Sequence, residues 1–186
     1  MTFTHDVEHS LATIVDLVNT DPQGGGEDLL AGIDDLEEFV DAHRISETGR
    51  LTDDDLDSVR ALRPALRAVF SASSPAEAAS LIKAIIGDAV VSPRLTDHDG
   101  YDWHLHYFAP GASLTEHLAV DGGMALAHVV VAGELERLRV CDAPDCTRVL
   151  VDLSRNRSKR YCDSRTCGNR LHVAAYRERR RAALAG

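Results

Sequence analysis

Cys141-Asp142-Ala143-Pro144-Asp145-Cys146 and Cys162-Asp163-Ser164-Arg165-Thr166-Cys167 hold all four cysteines of the 186-residue chain. The two pairs have the same internal gap of four residues and stand 15 residues apart. Two short loops that each give two thiolates meet the tetrahedral demand of zinc, and four thiolates leave no position open for a substrate. The spacing therefore predicts one structural Zn2+ ion, held by Cys141, Cys146, Cys162 and Cys167. Ala143-Pro144-Asp145 suits the tight turn that a metal-gripping knuckle requires. Two disulfides are the competing arrangement. The N-terminus MTFTHDVEHS has neither the basic start nor the apolar stretch of a secretion signal, so a reducing cytoplasmic setting is expected, which disfavours them. A redox switch in which oxidation releases zinc stays open.

The flanking residues fit this plan. Thr147–Leu153 alternates, with Val149, Val151 and Leu153 on one side, and is expected to pair with 137–141 as a hairpin. Ser154-Arg155-Asn156-Arg157-Ser158 reads as a polar turn. Cys167 is expected to open a helix lasting to about Leu184, whose unbonded N–H groups and positive dipole end favour thiolate. Knuckle, hairpin and helix together predict a treble-clef module.

Charge divides the chain at the same place. Residues 1–136 hold 7 basic and 25 acidic side chains, while 137–186 hold 13 basic and 5 acidic ones, within a net charge of −10. Such asymmetry suggests a nucleic-acid-facing end and a body that repels phosphate. Arg170, Arg177 and Arg181 share a helix face, Arg179 and Arg180 widen it, and the turn adds Arg155, Arg157, Lys159 and Arg160. Arginine forks suit phosphate and guanine edges, and the resulting binding falls with salt. Asn156 and Asn169 either touch a base or hydrogen-bond the backbone near the metal. The plainer alternatives are a solvated tail, arginines that merely complement a helix dipole, or a basic end docked on the chain's own acidic body.

The N-terminal part, 1–136, is expected to be mostly helical. Helices are predicted over 6–18, 32–43, from the Thr52 cap through Val69 with Pro64 a kink or break, from Ser74-Pro75 onward, and over 113–132 with a soft spot at Gly122-Gly123. Gly24-Gly25-Gly26 reads as a linker, since no Gly-Lys-Ser/Thr follows it. Val90–Leu95 and Tyr101–Phe108 alternate around Asp97-His98-Asp99-Gly100 and predict a β-hairpin. Trp103, Leu105 and Tyr107 should face one side and His104 and His106 the other. The histidines could ligate a metal, but no third ligand is identifiable, and an exposed polar strand face is the preferred reading. Asp16 and Asn19 lie on an apolar helix, so they either lock it to a neighbour or line a cavity. A pocket involving Asp16, Asn19, Trp103 and Tyr107 is the candidate site for a small effector. No nucleophile–base set or carboxylate pair appears, so no enzyme is expected, and no run of about 18 apolar residues suggests a membrane span.

Cys141-x4-Cys146, Leu153-Ser154-Arg155-Asn156, Tyr161-Cys162 and Cys167-Gly168-Asn169-Arg170 resemble the CGNR zinc-finger family over residues 137–181. Tyr161 stands where the family pattern has tryptophan, and His172 where lysine is common. Asp16-Leu17-Val18-Asn19-Thr20 resembles the signature of the ABATE domain, the usual N-terminal partner of that finger. The resemblance implies a stress-induced transcription regulator: DNA as partner of the finger, and an N-terminal domain that senses an effector or forms a homodimer. A zinc-stabilised protein-interaction module is the alternative.

Overall fold

Three hydroxyl side chains cap three of the helices, two of them in reciprocal boxes. Thr52 and Ser113 each accept a bond from the N–H of the acidic residue three positions on, Asp55 and Glu116, and that residue bonds back to the cap N–H at 2.9 and 2.8 Å. Ser74 accepts from the Glu77 N–H at 3.2 Å, with Pro75 in the first turn. Such boxes satisfy N–H groups that the helix cannot bond internally.

In the computed structural model, residues 3–22, 27–87, 89–97, 103–169 and 180 are described. The elements run α1 (His5–Asn19), α2 (Ile33–Ala42), α3 (Asp53–Val69), α4 (Pro75–Ile86), β1 (Val91–Thr96), β2 (His104–Phe108), α5 (Leu114–Val131), a 3-10 turn (Leu135–Arg137), β3 (Leu138–Val140), β4 (Val149–Val151) and a π-helical turn (Ser164–Gly168). The result is a mostly helical N-terminal region with a β-hairpin, followed by a four-cysteine cluster with a small sheet. The Gly24–Gly26 linker, His98–Gly100 of the hairpin turn and nearly all of the helix expected beyond Cys167 lie outside the described residues.

Pro64 neither breaks α3 nor splits it in two. Proline removes the donor that would bond the Arg60 carbonyl, and Arg63 Nε approaches that oxygen instead, at 3.4 Å. Gly122-Gly123 is a point of close approach rather than a soft spot. A Cβ on Gly122 would run into the Ile14 side chain of α1, and one on Gly123 would lie 2.7 Å from Ile86 Cγ1 of α4. Two adjacent glycines let α5 press against both neighbours at once.

The hairpin also corrects the expected facing. Trp103 is 66% exposed and Leu105 42%, while the His106 side chain is only 14% exposed. The apolar residues look outward and the histidines inward, because Asp121 of α5 accepts both the Tyr107 N–H and a His106 ring bond.

β4 is buried along its whole length. It pairs antiparallel with β3, Leu138 opposite Val151 and Val140 opposite Val149. Alternate residues of a strand point to opposite faces. Val149 and Val151 join the main core with α1, α3 and α5, whereas Leu150 packs with Cys141, Ala143 and Cys167. The strand is thus shared between two cores.

Candidate metal centre and basic face

Local backbone geometry brings the four sulfurs together. Cys146 N–H donates to the Ala143 carbonyl at 3.0 Å and closes the knuckle, and Cys141 N–H donates to Arg148 at 2.8 Å across it. The Asp163 carboxylate accepts the Arg165 and Thr166 N–H groups at 2.6 and 2.7 Å, shaping the turn that presents Cys167. All four Sγ atoms lie within 4.8 Å of one another, with Cys146–Cys162 at 3.7 Å and Cys162–Cys167 at 3.8 Å. None of the four is in a disulfide. A tetrahedron with Zn–S bonds of about 2.3 Å has S–S edges of about 3.8 Å, so the spacing fits a central ion.

The electrostatics agree with a cation there. Burial favours the neutral Cys141 thiol, but the Ala143 and Cys162 N–H groups outweigh it and lower the pKa. Burial and the neighbouring sulfurs push the Cys162 thiol strongly upward. Thiolates this close repel one another, and a bound dication removes that cost.

Buried polar residues fix the segment between the cysteine pairs. Asp152 is fully buried and accepts from Ser154 N–H at 2.9 Å, Ser154 Oγ at 2.5 Å and Lys159 N–H at 2.9 Å. Arg137, also buried, donates to the Asp152 and Ser154 carbonyls at 2.7 and 3.0 Å and pairs with Glu134 at 2.7 Å. Arg155, Asn156, Arg157, Lys159, Arg160, Asn169 and Arg180 are all exposed. Two of these arginines are engaged within the chain: Arg157 pairs with Glu134 at 2.8 Å and Glu136 at 2.5 Å, and Arg160 with Asp142 at 2.7 Å. Arg170, Arg177 and Arg181 lie outside the described residues.

Asn19 ties α1 to the cysteine module. Its amide donates to the Val149 carbonyl at 3.0 Å and accepts the Val149 N–H at 2.8 Å, standing in for a neighbouring strand. Arg67 of α3, which the sequence reading did not single out, donates to the Thr147 carbonyl at 2.6 Å and to Val18 at 2.9 Å. Asp16 is 62% exposed and stands 3.5 Å from His43 Nε2. Asp16 and Asn19 line one groove between α1 and the cysteine module, whereas Trp103 and Tyr107 of the hairpin do not line it and Trp103 is exposed.

A cavity of about 80 Å3 lies elsewhere, between α1, the end of α2, the hairpin and α5. Six histidines line it, His5, His9, His43, His104, His106 and His117, together with Asp121. Asp121 Oδ2 is 3.1 Å from His106 Nδ1 and 3.3 Å from His117 Nε2. Burial opposes its charge, but the His106 and His117 bonds pull its pKa down to about 2. The third partner that the His104-x-His106 pattern lacked was within reach of sequence. His117-x3-Asp121 places a second pair one helical turn apart on the helix expected over 113–132.

A helical N-terminal region docked on a four-cysteine module defines a zinc-finger protein of two matched parts. The CGNR zinc finger matches residues 137–180. ABATE, whose description reads "Putative stress-induced transcription regulator", matches residues 11–138, more than half of the chain. The chain belongs to the ABATE family and carries a CGNR zinc finger after it. That family description is of a regulator and implies a non-enzyme. No curated protein matches the chain. Among the described residues no helix is long and apolar enough to cross a membrane.

Proposed function

We propose that the chain is a cytoplasmic DNA-binding transcription regulator, in two units near 1–136 and 137–186. One structural zinc ion on Cys141, Cys146, Cys162 and Cys167 gives the second unit a treble-clef shape and fixes the turn that carries Arg155 and Asn156, with Lys159 just after it and Asn169 next to Cys167-Gly168. The observation that carries this reading is the cluster of four sulfurs at tetrahedral spacing inside the chain's basic end. Arg155, Lys159 and Arg180, with Arg170, Arg177 and Arg181, would contact phosphate, the contacts that supply most affinity and little sequence choice. The histidine-lined cavity is the place where the first unit would take an effector.

The test is fluorescence anisotropy of the zinc-loaded chain with random duplex DNA across a salt series. The expected result is binding that weakens steeply with salt and in Arg177→Ala/Arg181→Ala. Absence of duplex binding at low salt would overturn it.

One observation favours a second reading. Arg157 is bonded to Glu134 and Glu136, and Arg160 to Asp142, so part of the basic turn is neutralised by the chain itself. In that reading the finger is a protein-interaction module held on an acidic surface. Salt-independent failure to bind any duplex, with Arg155→Ala/Lys159→Ala inert, would favour it.

A further inference from the structure

We infer that His106, His117 and Asp121 form a second metal site, which takes one divalent transition-metal ion at the wall of the histidine-lined cavity. The donors are two imidazoles and a carboxylate, a set suited to ions such as Zn2+, Fe2+ or Ni2+ and unlike the all-sulfur site. Their ligating atoms lie within 4.8 Å of one another. With metal–ligand bonds of about 2.0–2.2 Å, adjacent ligand atoms stand between about 2.8 Å (octahedral) and about 3.6 Å (tetrahedral) apart. The Asp121–His106 and Asp121–His117 separations of 3.1 and 3.3 Å fall in that range.

The surroundings hold these donors in place, as outer partners do around metal ligands. The His117 ring stacks on Phe108 with centroids 3.6 Å apart, and His106 meets the same ring edge-on at 4.9 Å. His106 Nε2 lies 3.2 Å from His104 Nε2, which leaves Nδ1 facing Asp121. The other Asp121 oxygen accepts the Tyr107 N–H at 2.8 Å. Three protein ligands leave coordination positions open toward the cavity, where water or a small ligand would complete the shell. The ion would bind β2 to α5 beside Gly122, where α5 touches Ile14 of α1. This site deepens the effector reading above and rests on it for its consequence, whereas the binding itself is independent of DNA.

The full chain, loaded first with one equivalent of zinc, is titrated with Co2+ and followed by metal analysis and visible absorption. The expected result is a second equivalent per chain that lacks the intense thiolate-to-cobalt absorption. Asp121→Asn, His117→Gln and His106→Gln should each weaken that equivalent by at least about 100-fold, since loss of even an outer partner costs about 10- to 100-fold. Thermal melting of each zinc-loaded variant shows which of them fold, and His106→Gln and His117→Gln keep the test open if Asp121→Asn does not. Saturation at one equivalent, or a second equivalent indifferent to the variants that fold, would overturn the site. Duplex anisotropy is a separate readout, so failure of DNA binding leaves this result standing.

Discussion

The two halves of the molecule are held by different means. The N-terminal region has a core of its own, from Leu11, Ile14 and Leu17 of α1 through Val59 and Leu66 of α3 to Leu126 and Val129 of α5. Buried charge reinforces it: Arg63, 5% exposed, grips Asp28 with two bonds of 2.7 Å. Among its described residues the cysteine module has little core. Its own buried cluster is Cys141, Ala143, Leu150 and Cys167, and segments that small usually need a metal or disulfides. Half of its short sheet leans on the other region, through Val149 and Val151. The first half stores its stability in apolar area, and the second leans on a neighbour and, in the function proposed above, on an ion.

Removing zinc from the full chain should produce the largest effect. Structural zinc contributes about 10–16 kcal/mol in small zinc-dependent peptides. Amides of 138–169 should lose protection in hydrogen exchange after chelation, while those of α3 and α5 keep theirs. Equal loss in both regions would break the comparison.

Asp28→Ala should come next, and should act on the first half alone. It leaves the buried Arg63 guanidinium unpaired, at a cost of about 3–5 kcal/mol in urea unfolding. The pH dependence has a definite sign. The Arg63 bonds hold the Asp28 carboxyl below its ordinary value. The stability it contributes is therefore present above the unfolded carboxyl pKa of about 4 and is lost as pH falls through the lower folded value. Wild type and Asp28→Asn should converge in stability as the solution is acidified below about pH 4.

Asn19→Ala attacks the joint between the halves. It leaves the Val149 N–H and carbonyl without their partner, a loss of about 2–4 kcal/mol. It should raise exchange at β3 and β4 more than at α5. Thr52→Ala, which removes an exposed helix cap, should cost about 1 kcal/mol and leave the metal affinity of the cysteines unchanged. An altered affinity there would show the halves to be coupled more widely than Asn19 and Arg67 alone provide.

Sequence revealed those parts whose chemistry is local. Cysteine pairs at fixed spacing announced the sulfur cluster, and the Thr52 cap and Ser74-Pro75 announced their helices. Asn19 was legible as a locking residue, though not its partner, because nothing in the chain's order says that α1 will lie along β4. The inward face of the hairpin was read the wrong way round for a related reason. Period-two patterning separates the histidines from Trp103 and Leu105, but which set meets α5 depends on Asp121, a residue from another element. Arg63, Arg67 and Arg137 gave no such signal, because Asp28 and the Thr147 and Asp152 carbonyls that they bond are brought to them only by the fold.

The most direct test of the account is duplex-DNA anisotropy of the full chain, zinc-loaded and then stripped with a chelator, at one low salt concentration. A fixed basic end predicts binding when loaded, loss when stripped, and recovery when zinc alone is restored. Equal binding in the loaded and stripped states would contradict a zinc-shaped DNA-binding surface, and no binding in either state would contradict the nucleic-acid reading itself.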